Sequence, residues 1–183
     1  MRPAVFLDRD GTINVEVNYL SSPEQMQLID GVPAAIQRLR DAGFAIIVVT
    51  NQSGVARGYL TAETLDAIHH KLHTELAAAG TRVDGIYFCA HHPDENCNCR
   101  KPKSGLFLQA AREHNLDLRA SLMIGDAESD LLAAKNLQMP SILVRTGHGA
   151  ARLAHIAAWT DYQPSYIADD LRDAVNWLIA HGK

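Results

Sequence analysis

Short apolar runs that stop at polar side chains recur along this chain, and helical patterns fill the intervals between them. "AVFLD" (4–8), "AIIVVTN" (45–51), "GIYFCA" (85–90), "LMIGD" (122–126) and "SILVRTG" (141–147) read as buried strands, and "YIADD" as a last one. "VPAAIQRLRDAG" reads as a helix with Pro33 near its start and Gly43 at its end. "TAETLDAIHHKLHTELAAAG" has a Thr61 cap and a stripe of Leu65, Ile68, Leu72 and Leu76. "SGLFLQAAREHN", "ESDLLAAKNLQ" and "LRDAVNWLIAHG" complete the helices. Regular alternation of strand and helix predicts an α/β fold on a mainly parallel sheet. The 183 residues suit a single domain, here taken as residues 1–183.

In such a sheet ligands bind beyond the carboxyl ends of the strands, near the point where strand order reverses. The strands end in Asp8, Thr50-Asn51, Cys89 and Gly125-Asp126. Carboxylates and hydroxyls at several strand ends point to one shared site. "FLDRDGT" places Asp8 and Asp10 after the first strand, and "IGDAESD" brings Asp126, Glu128 and Asp130 to the end of the fourth. Carboxylates that converge repel unless a cation lies between them, and hard oxygen ligands suit Mg²⁺. Asp and Gly also make ordinary strand-ending turns. "VVTNQSG" offers Thr50, Asn51 and Ser53 as short donors, and "CRKPKSG" offers Arg100 and Lys101, groups that match phosphoryl oxygens.

The ordered set Asp8-x-Asp10-Gly-Thr12, Thr50-Asn51, Lys101 and Gly125-Asp126-x3-Asp130 resembles the haloacid dehalogenase superfamily of phosphohydrolases. "DRDGTIN", "TNQSGVARG", "HHP", "CNCRKP" and "RTG" narrow the resemblance to the histidinol-phosphatase-like subgroup, whose members act on heptose bisphosphates and histidinol phosphate. The resemblance implies a three-layer, Rossmann-like parallel sheet with helices on both faces. Residues 11 to 31 are too few for a large cap domain, so small loops would do the recognition.

The same resemblance implies a reaction. Asp8 would attack phosphorus and form an aspartyl-phosphate, and Asp10 would serve as acid and then base. Asp8, Asp126 and the backbone carbonyl of Asp10 would hold Mg²⁺, with Thr50 and Lys101 on the transferring oxygens. Asn51, Gln52 and Ser53, with Glu16 and Tyr19 from "NVEVNYL", would contact substrate, and Arg100 would grip a second anionic group. Tyr19 could equally pack on its own loop. One departure concerns substrate rather than chemistry: Ala127 stands where the heptose branch would have lysine. The histidinol branch would have Asp in place of Ser53.

All three cysteines fall within "CAHHPDENCNCRKPKSG". An odd number this closely spaced counts against a disulfide scaffold. Cys89-x-His91 and Cys97-x-Cys99 supply four ligands from one short loop, the number that a closed tetrahedral Zn²⁺ site takes. Free cysteines also pack as small hydrophobes, and Cys89 at a strand end fits that description too. The family motif selects zinc, and His91 over His92. Arg100 and Lys101 follow the last ligand directly, so the metal would stabilise the loop that carries them.

Other features exclude function classes. Net charge is −4, which gives no general attraction to nucleic acid or to anionic membrane. No apolar run reaches a membrane span and the N-terminus has no signal-like apolar stretch, so the expected location is the cytoplasm. The expected partner is a small phosphorylated sugar, acted on by a monomer. A zinc-stabilised interaction module without catalysis is the alternative from another class, and intact Asp8, Asp10, Lys101 and Asp126 argue against it. His69, His70 and His73 lie on one helix as solvated or packed residues, His148 in a loop, and Trp159 and Trp177 in packing positions.

Overall fold

The computed structural model describes residues 1–160 and 162–181; Gly182, the end of the last expected helix, lies outside them. Six strands, β1 (Ala4–Leu7), β2 (Ala45–Asn51), β3 (Gly85–Cys89), β4 (Leu122–Gly125), β5 (Ser141–Val144) and β6 (Tyr166–Ala168), form one parallel sheet in the order β3-β2-β1-β4-β5-β6. The chain builds outward from β1 to β3, then returns to the other side of β1 and builds outward again. The order therefore reverses between β1 and β4.

The inner strands are apolar except for Thr50, Asn51 and Ser141 at their ends, because both sheet faces are covered. Val5, Leu7, Ile46 and Val48 point to a layer made by α1 (Val32–Asp41), α2 (Ala62–Ala78) and α6 (Leu171–His181). Ala4, Phe6, Ala45, Ile47 and Val49, one residue out of phase, meet α3 (Gly105–His114) and α4 (Glu128–Asn136) on the opposite face. Phe6 packs on Phe107 at 5.0 Å between ring centroids. The result is the expected three-layer α/β architecture. The segments 8–31 and 90–104 contain short 3-10 turns and, in the first, isolated bridges from Asn14 to Asp10 and Leu28, so neither is a large cap over the strand ends.

Capping follows the sequence. The Thr61 hydroxyl accepts from the Thr64 amide at 3.2 Å, and Pro33 lies in the first turn of α1. Two differences stand out. The fifth strand, expected through Gly147, ends at Val144, because Gly147 turns away with φ +57°, outside the extended region. A helix absent from the sequence reading, α5 (Gly149–Ala157), follows; Gly149 and Ile156 are its buried residues, and Ile156 with the partly buried Leu153 packs on Leu131 and Leu143.

Candidate active site

The carboxyl ends of β1, β2 and β4 open into a cavity of about 280 Å³ at the reversal of strand order. Its walls include Asp8, Asp10, Glu16, Tyr19, Thr50, Asn51, Gln52, Ser53, Lys101 and Asp126. Ten residues expected at one site thus meet there, drawn from four segments of the chain. Arg100 does not line this cavity. It lines a neighbouring hollow with Cys97, Lys101 and Lys103, and its Nη1 is buried without a hydrogen-bond partner.

Lys101 organises the floor. Its ammonium, almost wholly buried, lies 2.8 Å from Asp8 Oδ1 and 2.6 Å from Asp130 Oδ1, and donates to the Val49 carbonyl at 2.6 Å. Burial alone would lower the pKa of this lysine, but Asp130 and Asp8 overcome that and hold it above the ordinary lysine range. The side chain of Asn51 places the Lys101 backbone, with Oδ1 accepting from Lys101 N at 3.0 Å and Nδ2 donating to Lys101 O at 3.2 Å.

The carboxylates of Asp8, Asp126 and Asp130 converge within 4.8 Å of one another. Burial and the charges of Asp8 and Asp130 push Asp126 up to about 8, and burial followed by partial relief from Lys101 leaves Asp130 at about 7. Crowding of this kind is relieved by a divalent cation, and the oxygen-only donor set suits Mg²⁺. Close backbone packing fixes Asp126. A Cβ on Gly11 would stand 2.3 Å from Asp126 Oδ2 and one on Gly147 2.1 Å from it, and both glycines have positive φ. The His148 amide donates to the same oxygen at 2.7 Å.

Asp10 faces a different set of partners. Arg9, with no exposed surface, donates from Nη2 to Asp10 Oδ2 at 2.8 Å and from Nε to Oδ1 at 3.2 Å. Asn14 and Gln52 add bonds of 3.0 and 2.8 Å. Burial acts to raise the Asp10 pKa, but Arg9, Asn14 and Gln52 outweigh it and hold the carboxyl below its usual range. Gln52 also donates to the Thr50 hydroxyl at 2.9 Å, which aligns two cavity groups with one amide. Behind Arg9 lies His69 of α2, whose Nε2 is 3.1 Å from Arg9 Nη1 and whose ring packs on Phe88. Sequence reasoning passed over Arg9 and gave His69 only as a solvated or packed residue. Strand parity was the available signal, since Asp8 and Asp10 reach the cavity and the residue between them must point into the helical layer.

Glu16 and Tyr19 come from the loop that replaces a cap. Burial and the nearby Asp10 and Asp8 push Glu16 up to about 7. Tyr19, at φ 56°, packs edge-on against Tyr59 at 4.6 Å, so it joins the 14–20 loop to the turn after β2 as well as lining the cavity.

Beside the cavity stand Cys89, His91, Cys97 and Cys99. Their sulfur atoms are 3.5, 3.1 and 3.3 Å apart, and His91 Nδ1 is 3.2 Å from Cys99 Sγ and 3.6 Å from Cys89 Sγ. Ligands about 2.3 Å from a tetrahedral zinc ion would be separated by roughly 3.7 Å, close to this spacing. The cysteines are unpaired, and burial together with the neighbouring thiols pushes Cys89 up to about 12. Four soft donors this close are stabilised by a cation that lets the thiols ionise. His91, not His92, turns to the cysteines; His92 instead caps the Pro93–Glu95 turn.

A parallel sheet with acidic strand ends, a buried lysine and an adjoining strand-end hydroxyl defines the haloacid dehalogenase-like class of hydrolases. A HAD-hydrolase-like family model matches residues 98–174. The chain is 43% identical to the D-glycero-D-manno-heptose-1,7-bisphosphate 7-phosphatase of Thermosynechococcus vestitus, over 98% of this chain and 97% of that protein. It is 44% identical to the D-glycero-beta-D-manno-heptose-1,7-bisphosphate 7-phosphatase of Yersinia pestis, over 91% and 92% of the two chains. The solved D,D-heptose 1,7-bisphosphate phosphatase of B. bronchiseptica, complexed with magnesium and phosphate, superposes with a TM-score of 0.90 at 36% identity, covering 98% and 99%. The chain belongs to the heptose-bisphosphate phosphatase family of haloacid dehalogenase-like hydrolases, and it is a phosphoric monoester hydrolase.

Proposed function

We propose that this chain, acting as a single phosphatase domain, hydrolyses the 7-phosphate of D-glycero-D-manno-heptose 1,7-bisphosphate. It would do so in the cytoplasm, as a monomer, in the biosynthesis of nucleotide-activated heptose for lipopolysaccharide-type glycans. The observation that carries the chemistry is the contact of Asp8, Asp130 and Lys101 on the cavity floor, with Asp126 beside them. Identity of more than 40% to phosphatases named for this substrate supports the choice of sugar.

Asp8 is the nucleophile. One of its oxygens attacks phosphorus, the bond from phosphorus to the sugar oxygen breaks, and the sugar oxygen leaves with the electron pair. Asp10 gives that oxygen a proton. It then takes a proton from the water that attacks the aspartyl-phosphate, releasing inorganic phosphate and restoring Asp8. Because Arg9 and its neighbours keep Asp10 ionised, arrival of the phosphate charge must raise its affinity for a proton before the first step. Thr50 and Lys101 orient and stabilise the transferring oxygens. Asp8, Asp126 and the Asp10 carbonyl would hold Mg²⁺, which when bound screens the anionic nucleophile from the anionic phosphate. Asn51 and Gln52 contribute by holding Lys101, Asp10 and Thr50, and Glu16, Tyr19 and Ser53 face the sugar. Arg100, from the adjoining hollow, reaches the second phosphate. Zinc on Cys89, His91, Cys97 and Cys99 fixes the loop that ends in Arg100 and Lys101.

The test is phosphate release from both anomers of the bisphosphate, from histidinol phosphate and from simple sugar phosphates, with Mg²⁺ and then with EDTA. Preference for the bisphosphate and loss of activity with EDTA are expected. Equal or better turnover of histidinol phosphate would move the chain to the other branch of the subgroup.

A further inference from the structure

The turn after β5 presents one side chain to the cavity. Gly147 and Gly149 are wedged. A Cβ on Gly147 would meet Asp126 Oδ2 at 2.1 Å and the Gly11 Cα at 2.6 Å, and one on Gly149 would meet the Val144 carbonyl oxygen at 1.7 Å. Between them His148 has its own amide tied to Asp126. Its backbone is thus held from three sides while its ring, more than half exposed, lines the cavity. Opposite stands Glu16 of the 14–20 loop. The separation of His148 Nε2 and Glu16 Oε1 is 3.8 Å, too long for a direct hydrogen bond, and both groups line the cavity, where one substrate oxygen can meet the two of them. The neighbouring wall is Ala127 and Ser129, which leaves the gap unobstructed by long side chains.

We propose that His148 is a specificity-determining residue: together with Glu16 it reads one hydroxyl group of a polyol phosphate, remote from the phosphoryl group being transferred. The hydroxyl donates its hydrogen to the Glu16 carboxylate and accepts from the imidazole N–H of His148. A carbonyl or ether oxygen at the same place fails, because it has no hydrogen for Glu16. The pair therefore selects polyhydroxylated esters over esters, such as those of simple phenols, that carry no hydroxyl at that place. The inference rests on the reading of the chain as a sugar-phosphate phosphatase and adds the device by which it recognises the sugar.

The experiment measures kcat/KM of wild-type enzyme and of His148→Ala, His148→Gln and His148→Lys on heptose 1,7-bisphosphate and on p-nitrophenyl phosphate, which has no hydroxyl. The ratio of the two kcat/KM values should fall about ten-fold in His148→Ala, with the loss mainly in KM. His148→Gln, a neutral donor, should restore at least part of the ratio. Equal losses on both substrates, or none, would overturn the inference while leaving the phosphatase reading intact. Recovery by lysine but not by glutamine would overturn it too, by assigning His148 to a phosphate. A wild-type enzyme that hydrolyses the aryl ester but no sugar phosphate would overturn the underlying reading and the inference with it.

Discussion

The side-chain amide of Asn51 grips the backbone of Lys101 on both sides, accepting at 3.0 Å and donating at 3.2 Å, fifty positions away along the chain. It thereby acts as an extra rung where β2 ends, and it sets the height at which the Lys101 ammonium enters the floor of the site.

Asn51→Ala should lower kcat/KM by roughly 10–100-fold without removing any group that touches phosphate. The reason is positional, since a displacement of about 1 Å at a charged group costs rates of that size. Zinc content should stay unchanged. Activity within two-fold of wild type would mean that the zinc loop alone places Lys101.

Asp8→Asn should abolish turnover while the fold persists. The amide is isosteric with the carboxylate but is no nucleophile, and it keeps an oxygen for Lys101. A preparation free of wild-type enzyme that retained more than a few per cent of activity would exclude the covalent route. Asp10→Asn tests the other carboxylate, and its loss should be larger for alkyl phosphates than for aryl phosphates, whose leaving groups need no proton.

The strands and the acidic strand ends were legible because they depend on local pattern: an unbroken apolar run, then a carboxylate. The same holds for Thr61 as a cap. What stayed hidden depends on partners distant in sequence. Asn51 and Gln52 read as substrate contacts and do line the cavity; their hold on Lys101, Asp10 and Thr50 was not legible. The three histidines of α2 read as solvated or packed; the structure packs His69 inward onto Arg9, while His70 and His73 stay outside. Helix α5 went unread although Leu153 and Ile156 share the face that packs on Leu131 and Leu143. Arg100 shows the limit of adjacency, since Lys101 lines the catalytic cavity as well as the neighbouring hollow, and Arg100 lines the hollow without the cavity.

Acid should weaken the fold through His69. Arg9 can only donate, so the His69 Nε2 that faces it must carry a lone pair, and the ring is neutral. Burial first, and then the Arg9 charge, lower its pKa from 6.5 to about 4. The unfolded chain therefore binds a proton at this residue that the folded chain refuses, and stability falls as pH drops from 6.5 towards 4. The contribution is on the order of 2–3 kcal/mol at the acid end of that window. His69→Gln keeps an acceptor for Arg9 and does not titrate. Urea midpoints measured at pH 7.5 and at pH 4.5 should fall less in this variant than in wild type. Equal falls would mean that His69 is protonated in the folded protein.

Cys97→Ser should drop zinc below one per chain and reduce activity without altering any group in the catalytic cavity. Cys99 is separated from Lys101 only by Arg100, and the start of α3 is pinned to the same loop through the Gly105 amide on the Asn98 carbonyl at 3.1 Å. Loss of one ligand frees a segment too small to hold its shape by apolar packing, and Lys101 then samples positions away from the phosphoryl oxygens. A fall of ~10-fold or more in kcat/KM is expected, and excess Mg²⁺ should not reverse it, because the two metals take different ligands. Asn51 and the zinc loop place the same lysine, so the two defects share a target. The double variant Asn51→Ala, Cys97→Ser should lose less than the product of the single losses. Metal analysis and kinetics on one preparation decide the matter. Wild-type protein without stoichiometric zinc would refute the metal, zinc lost with full activity would break its link to Lys101, and strictly multiplicative losses would show that the clamp and the loop act on different steps.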